Sequence, residues 1–81
     1  MSVTLTIAFD AAEGTMPRLL TLIERRGFSV EGIRMDAGRP ARMALALAPR
    51  DPGRSAAVLD RQLRRLHGIH DIVISSERPW A

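Results

Sequence analysis

The strongest constraint on the fold is a change of hydrophobic period between Asp10 and Leu20. Before it, Val3, Leu5, Ile7 and Phe9 alternate with Thr4, Thr6 and Ala8, the period-two pattern of a strand with one buried face. After it, Met16, Leu19, Leu20 and Ile23 recur at helical spacing, with Arg18, Thr21 and Arg25 facing outward. Gly14 marks the backbone turn, Thr15 is the expected N-cap, and Pro17 falls in the first turn, where its missing N–H costs nothing. Gly27 stands where a helix is expected to close, so the spacing predicts a helix over residues 15–26. A loop entering a helix exposes backbone N–H groups that the helix cannot satisfy. Such a corner can hold a carboxylate or phosphate, aided by the helix dipole.

The remainder continues as alternating elements. Phe28 to Asp36 reads as a second strand, and Gly32 interrupts its alternation in the manner of a bulge or a close backbone approach. Ala37-Gly-Arg-Pro40 is a turn. Met43, Leu45 and Leu47 alternate with Ala44, Ala46 and Ala48 in a third strand, whose alanine face is small enough to pack beside another element. Pro49-Arg-Asp-Pro-Gly53 is a loop. A second amphipathic helix is expected from about Ser55, burying Ala56, Leu59, Leu63 and Leu66 and closing at Gly68, with Asp60 placed for an i,i+4 pair to Arg64. Ile69 to Ile74 is the fourth strand.

The order βαββαβ predicts an α+β, ferredoxin-like sandwich, in which a four-stranded antiparallel sheet carries both helices on one face. Strands two and four then lie at the edges. The 28–36 edge is long and carries few charges (Glu31, Arg34, Asp36), so pairing with another chain is expected there. The expected assembly is a homodimer joined through the second strand, at Phe28, Val30, Gly32 and Arg34, to give one eight-stranded sheet. A chain of 81 residues buries only about 60–65% of its unfolded surface, which makes such association a natural supplement to a thin core.

Composition removes several classes of function. No cysteine is present, so neither a disulfide framework nor a thiolate metal site is available. The N-terminus lacks a signal-peptide pattern and no apolar run approaches a membrane span, so a cytoplasmic protein is expected. All 12 basic residues are arginine and the net charge is +3. An arginine-rich nucleic-acid binder is the weakest reading, because Phe9, Phe28 and Trp80 are the only aromatics and no basic patch interleaves with them.

Candidate chemistry is sparse. His67 and His70 do not share a helical face, because Gly68 interrupts the helix between them, and no metal site is expected. Asp10, Glu13 and Asp36 are carboxylates on or beside loops, with no histidine, nucleophile elbow or phosphate loop beside them, so no catalytic residues and no cofactor are expected. Phosphatases of this topology need an asparagine, and the chain has none. The RNA-binding version needs aromatics where this chain has Thr4, Thr6, Ala8 and alanines. Trp80 is a loose tail residue or an anchor on a partner surface.

One version of the fold remains. The run from Gly14 to Ile33, GTMPRLLTLIERRGFSVEGI, resembles the signature of ACT domains, and is most similar to that of the small regulatory subunit of acetolactate (acetohydroxyacid) synthase. Arg42-Met43 and the stretch Val58 to Val73 continue the likeness, so it covers residues 3–74. The resemblance implies a single ACT-like domain over residues 1–76, with residues 77–81 a C-terminal tail. It implies a non-catalytic subunit that binds and activates the synthase catalytic subunit in branched-chain amino acid biosynthesis. It also implies a branched-chain amino acid effector at the interface of two such domains. The effector-binding positions carried over are Asp10, Ala11, Gly14, Thr15, Met16 and Ser29, with the amides around Thr15 and Met16 as donors. Ala11 and Ser29 stand where asparagines are often found, so valine feedback is expected to be weak or absent, each charged hydrogen bond contributing roughly 1.5–3 kcal/mol. The alternative is a free-standing amino-acid-binding ACT domain that regulates another enzyme. The outer face of the second helix, with Arg61, Arg64 and Arg65, is a candidate contact surface for the catalytic subunit.

Overall fold

The computed structural model describes residues 3–11, 14–51 and 53–75. Glu13 and Trp80, singled out above, and the tail 77–81 lie outside the described residues. The elements run β1 (Val3–Phe9), α1 (Thr15–Arg25), β2 (Phe28–Asp36), β3 (Ala41–Pro49), α2 (Ala56–Leu63) and β4 (Ile69–Ser75). They form one four-stranded sheet in the order β2-β3-β1-β4, with every neighbouring pair antiparallel.

The period-two residues of β1 sort as the alternation requires. Leu5, Ile7 and Phe9 lie with Met43, Leu45 and Leu47 of β3 in one buried cluster, closed by Leu19 and Ile23 of α1 and by Leu59 and Leu63 of α2. Both helices therefore cover the same face. On the other face, the register places Thr4 beside Ala46 and Thr6 beside Ala44, and Ala46 beside Gly32. Thr4 and Ala46 are buried even so, and the Thr4 hydroxyl has no hydrogen-bond partner among the described residues.

Two local expectations change in detail. Gly14, in the left-handed region at φ 84°, is the N-cap of α1, and among the described residues no side chain caps the helix. Thr15 is the first helical residue and is buried, so it serves the core rather than the cap. α2 ends at Leu63, short of the expected Gly68, because the chain tightens through Arg64–Gly68. Arg65 N–H donates to the Gln62 carbonyl and Leu66 N–H to that of Leu63, three residues back rather than four. Leu66 still packs against the core from this turn. Ser55 caps α2 as the pattern predicts, its hydroxyl accepting from Val58 N–H at 3.4 Å. The interruption at Gly32 is a register shift between Val30 and Gly32, which leaves Glu31 as the extra residue.

Gly27 closes α1 at φ 88°, a conformation that favours glycine. Its carbonyl accepts from Arg50 N–H at 2.8 Å, and the Arg54 side chain lies across the position a Cβ would take. The end of α1 is thereby tied to the β3–α2 connection.

Candidate functional site

β1 and the start of α1 place the corner Asp10–Met16 at the end of the sheet formed by the last residues of β1 and the first of β3. Gly14 turns the chain there, and its carbonyl accepts from Arg18 N–H at 3.2 Å to start the helix. The first-turn N–H groups have no intrahelical acceptors, so the backbone half of an anion site is built into the chain direction. No acidic residue occupies that turn to compete for it. Met16 is half-buried against the core, while Ala11 is exposed.

Asp10 is fixed from two sides. Its N–H donates to the Gly68 carbonyl at 2.8 Å, and its Oδ1 lies 2.6 Å from Nε2 of His70 on β4. This contact joins residues 60 positions apart across a bulged β1–β4 register, and nothing in the local spacing announces it. Together with the turn Gly38-Arg39-Pro40, Asp10 and His70 line an open cleft of about 680 Å³.

Ser29 is not part of this corner. It lies at the opposite end of the sheet, paired with Ala48, and its hydroxyl accepts from Arg50 Nε at 3.5 Å. Between Gly14 and Ser29 runs the 11-residue helix α1, a length of about 16 Å. A single chain thus brings together Asp10, Ala11, Gly14, Thr15 and Met16, and leaves Ser29 apart.

β2 is an edge strand, as is β4. Of the residues expected at the pairing edge, Phe28 has its side chain in the core, Val30 packs partly against it, Gly32 is half-buried, and Arg34 is exposed. The exposed apolar side chains of this edge are Ile33 and Met35, opposite Leu45 and Met43 in the register, beyond the cover of the helices. β4 also exposes Val73 and Ile74, which the sequence reading did not single out.

Of the three arginines in and just after α2, Arg64, the C-cap, is tied to the scaffold. Its Nε reaches Asp60 Oδ1 at 3.0 Å, the i,i+4 pair expected from the sequence, and its Nη2 donates to the Ile72 carbonyl at 2.9 Å. Arg61 and Arg65 are exposed. Among the described residues no group of three or more His, Asp or Glu side chains is placed to hold a metal ion, and no helix is long and apolar enough to cross a membrane.

An antiparallel sheet in the order β2-β3-β1-β4 with two helices on one face defines a ferredoxin-like α+β sandwich. Residues 11–72 match the family model of the ACT domain, and the chain belongs to that family. ACT domains are regulatory, amino-acid-binding modules without catalytic activity of their own, and they commonly dimerise. The fold is similar to that of the ACT domain of a Chlorobium tepidum GTP pyrophosphokinase, with a TM-score of 0.73, 13% identity, and coverage of 93% of this chain and 97% of that one. It is also similar to the C-terminal domain of the Mycobacterium tuberculosis MgtC protein (TM-score 0.69, 15% identity, 94% and 86% coverage). A third similarity is to Clostridium acetobutylicum aspartate kinase, described as an allosteric enzyme (TM-score 0.65, 16% identity), where the match covers 90% of this chain and 17% of that one. No curated protein matches the sequence at a significant level.

Proposed function

We propose that this chain is a regulatory subunit of an acetolactate synthase in branched-chain amino acid biosynthesis, acting by contact with the catalytic subunit and paired with a second copy of itself through β2. The observation that carries the pairing is the separation of the corner from Ser29. A two-fold axis across an antiparallel β2–β2 pair runs the partner's strand in reverse, so the Ser29 end of one chain meets the corner end of the other. The same pairing covers Ile33 and Met35. The Gly14–Ile33 run supports the choice of the synthase as partner.

The corner offers N–H donors to an amino acid effector, while Ala11 adds no polar group and Ser29 already accepts from Arg50. Valine therefore binds weakly or not at all, and activation is the main activity. The partner surface is reduced to Arg61 on α2 and Arg65 in the turn after it, since Arg64 is committed to Asp60 and the Ile72 carbonyl.

The test is to titrate this chain into an acetolactate synthase catalytic subunit, and to follow the synthase rate with and without valine, leucine and isoleucine. Activation with little inhibition is expected. Absence of both a complex and activation would defeat the reading and favour a free-standing ACT domain serving another enzyme. Strong valine inhibition would show that backbone donors alone suffice.

A further inference from the structure

Beside the corner, the end of β1 lines a cleft that includes none of the described first-turn residues of α1. There Asp10, His70 and Arg39 meet around the 680 Å³ cleft, whose remaining wall includes Phe9, Ala11 and Pro40. This volume falls within the roughly 300–1,000 Å³ typical of small-molecule sites. Asp10 and His70 are already paired at 2.6 Å. Arg39, on the β2–β3 turn, makes no hydrogen bond or ion pair with any described residue.

From this arrangement we propose that the cleft binds a small organic carboxylate within one chain, at a site that shares Asp10 and Ala11 with the interchain corner but is completed by Arg39 and His70. Arg39 supplies the planar fork that matches a carboxylate bidentately. His70, with Nε2 held by Asp10, has Nδ1 left to donate when the ring is protonated. Asp10 holds that ring in place, and Arg39 supplies the guanidinium that faces the ligand. Ala11 and Pro40 offer a short apolar tail some contact, which selects an aliphatic acid over inorganic anions. The site needs no second copy, because β1, the β2–β3 turn and β4 all come from the same chain.

The test is an amide NMR titration of the full chain with propionate, with propionamide and propylamine as uncharged and cationic controls. Propionate alone should shift the amides of Asp10, Ala11, Arg39 and His70 saturably. Arg39→Gln should weaken binding by about tenfold or more, the loss expected for a charged hydrogen bond. His70→Gln should also weaken it by baring Asp10, and Asp10→Asn in that background should recover part of the loss. Arg39 is exposed on a turn, so its variant keeps the wild-type spectrum elsewhere. Equal shifts with propionamide, or unchanged binding by Arg39→Gln, would overturn the proposal. So would shifts confined to Gly14–Met16 and β2, which would assign the carboxylate to the interchain corner.

Discussion

Replacing Ile33 and Met35 together by glutamate should dissociate the paired form while leaving the subunit folded. Ile33 is 47% exposed and Met35 44% exposed, so neither contributes much to the core of its own chain. Full burial of such a side chain contributes about 1.5–3 kcal/mol, so covering the exposed half contributes about 1 kcal/mol. Two residues on each of two chains then supply about 4 kcal/mol, roughly three decades in the dissociation constant. Four carboxylates facing one another across the pair add repulsion in the same direction. Val73→Glu is the control, because Val73 is 55% exposed on the opposite edge and lies outside the proposed interface. Sedimentation velocity over roughly 1–100 µM reads the constant directly, with far-UV circular dichroism as the check on folding. A double variant that dimerises as tightly as wild type would refute the reasoning, as would a wild-type chain that stays monomeric. Equal weakening by Val73→Glu would move the interface to β4.

Three further substitutions test the scaffold. Gly27→Ala should cost about 1–2 kcal/mol through left-handed strain, and displacement of Arg54 adds to it, for a fall of roughly 5–15 °C in Tm; Gly27→Asn should cost less, and a neutral alanine would show that the backbone there relaxes. Thr4→Val should raise stability by about 1 kcal/mol, since it removes a buried hydroxyl that has no partner; a lower Tm would reveal a hydrogen bond to that oxygen. Arg64→Ala should lower stability by about 1 kcal/mol by freeing the Ile72 carbonyl, and Arg64→Lys should restore only part of that in thermal unfolding, because one ammonium does not span both Asp60 and the carbonyl.

The fold was legible in the sequence wherever periodicity and backbone punctuation act locally. The alternation in β1, the helical spacing of Leu19 and Ile23, and glycines at 14, 27 and 68 together dictate the element order, and all three glycines have positive φ. What escaped was non-local. The apolar spacing that extends α2 to Leu66 cannot register the Arg64 bond to Ile72, which forms only once β4 is in place. Asp10 and His70 meet through a bulge between strands adjacent in space and far apart in sequence, so neither residue signals the other. The turn at Gly14 was readable because a left-handed backbone before a helix calls for glycine. Ser29 was readable as a matching residue type, but its position at the far end of the sheet follows from the direction of β2. The proposed two-chain site rests on that direction.

Because the chain contains no cysteine, the shared site can be tested with one label on each of two chains. Ala11→Cys and Ser29→Cys proteins, each carrying a nitroxide, are mixed in equal amounts and the distance between labels is measured by pulsed electron resonance. Within one chain the corner and Ser29 stand at opposite ends of α1, about 16 Å of helix apart. Pairing through β2 sets Ala11 three strand spacings, about 14 Å, sideways from the partner's Ser29, and so predicts strong dipolar coupling between labels on the two chains. An absence of intermolecular coupling would contradict the account.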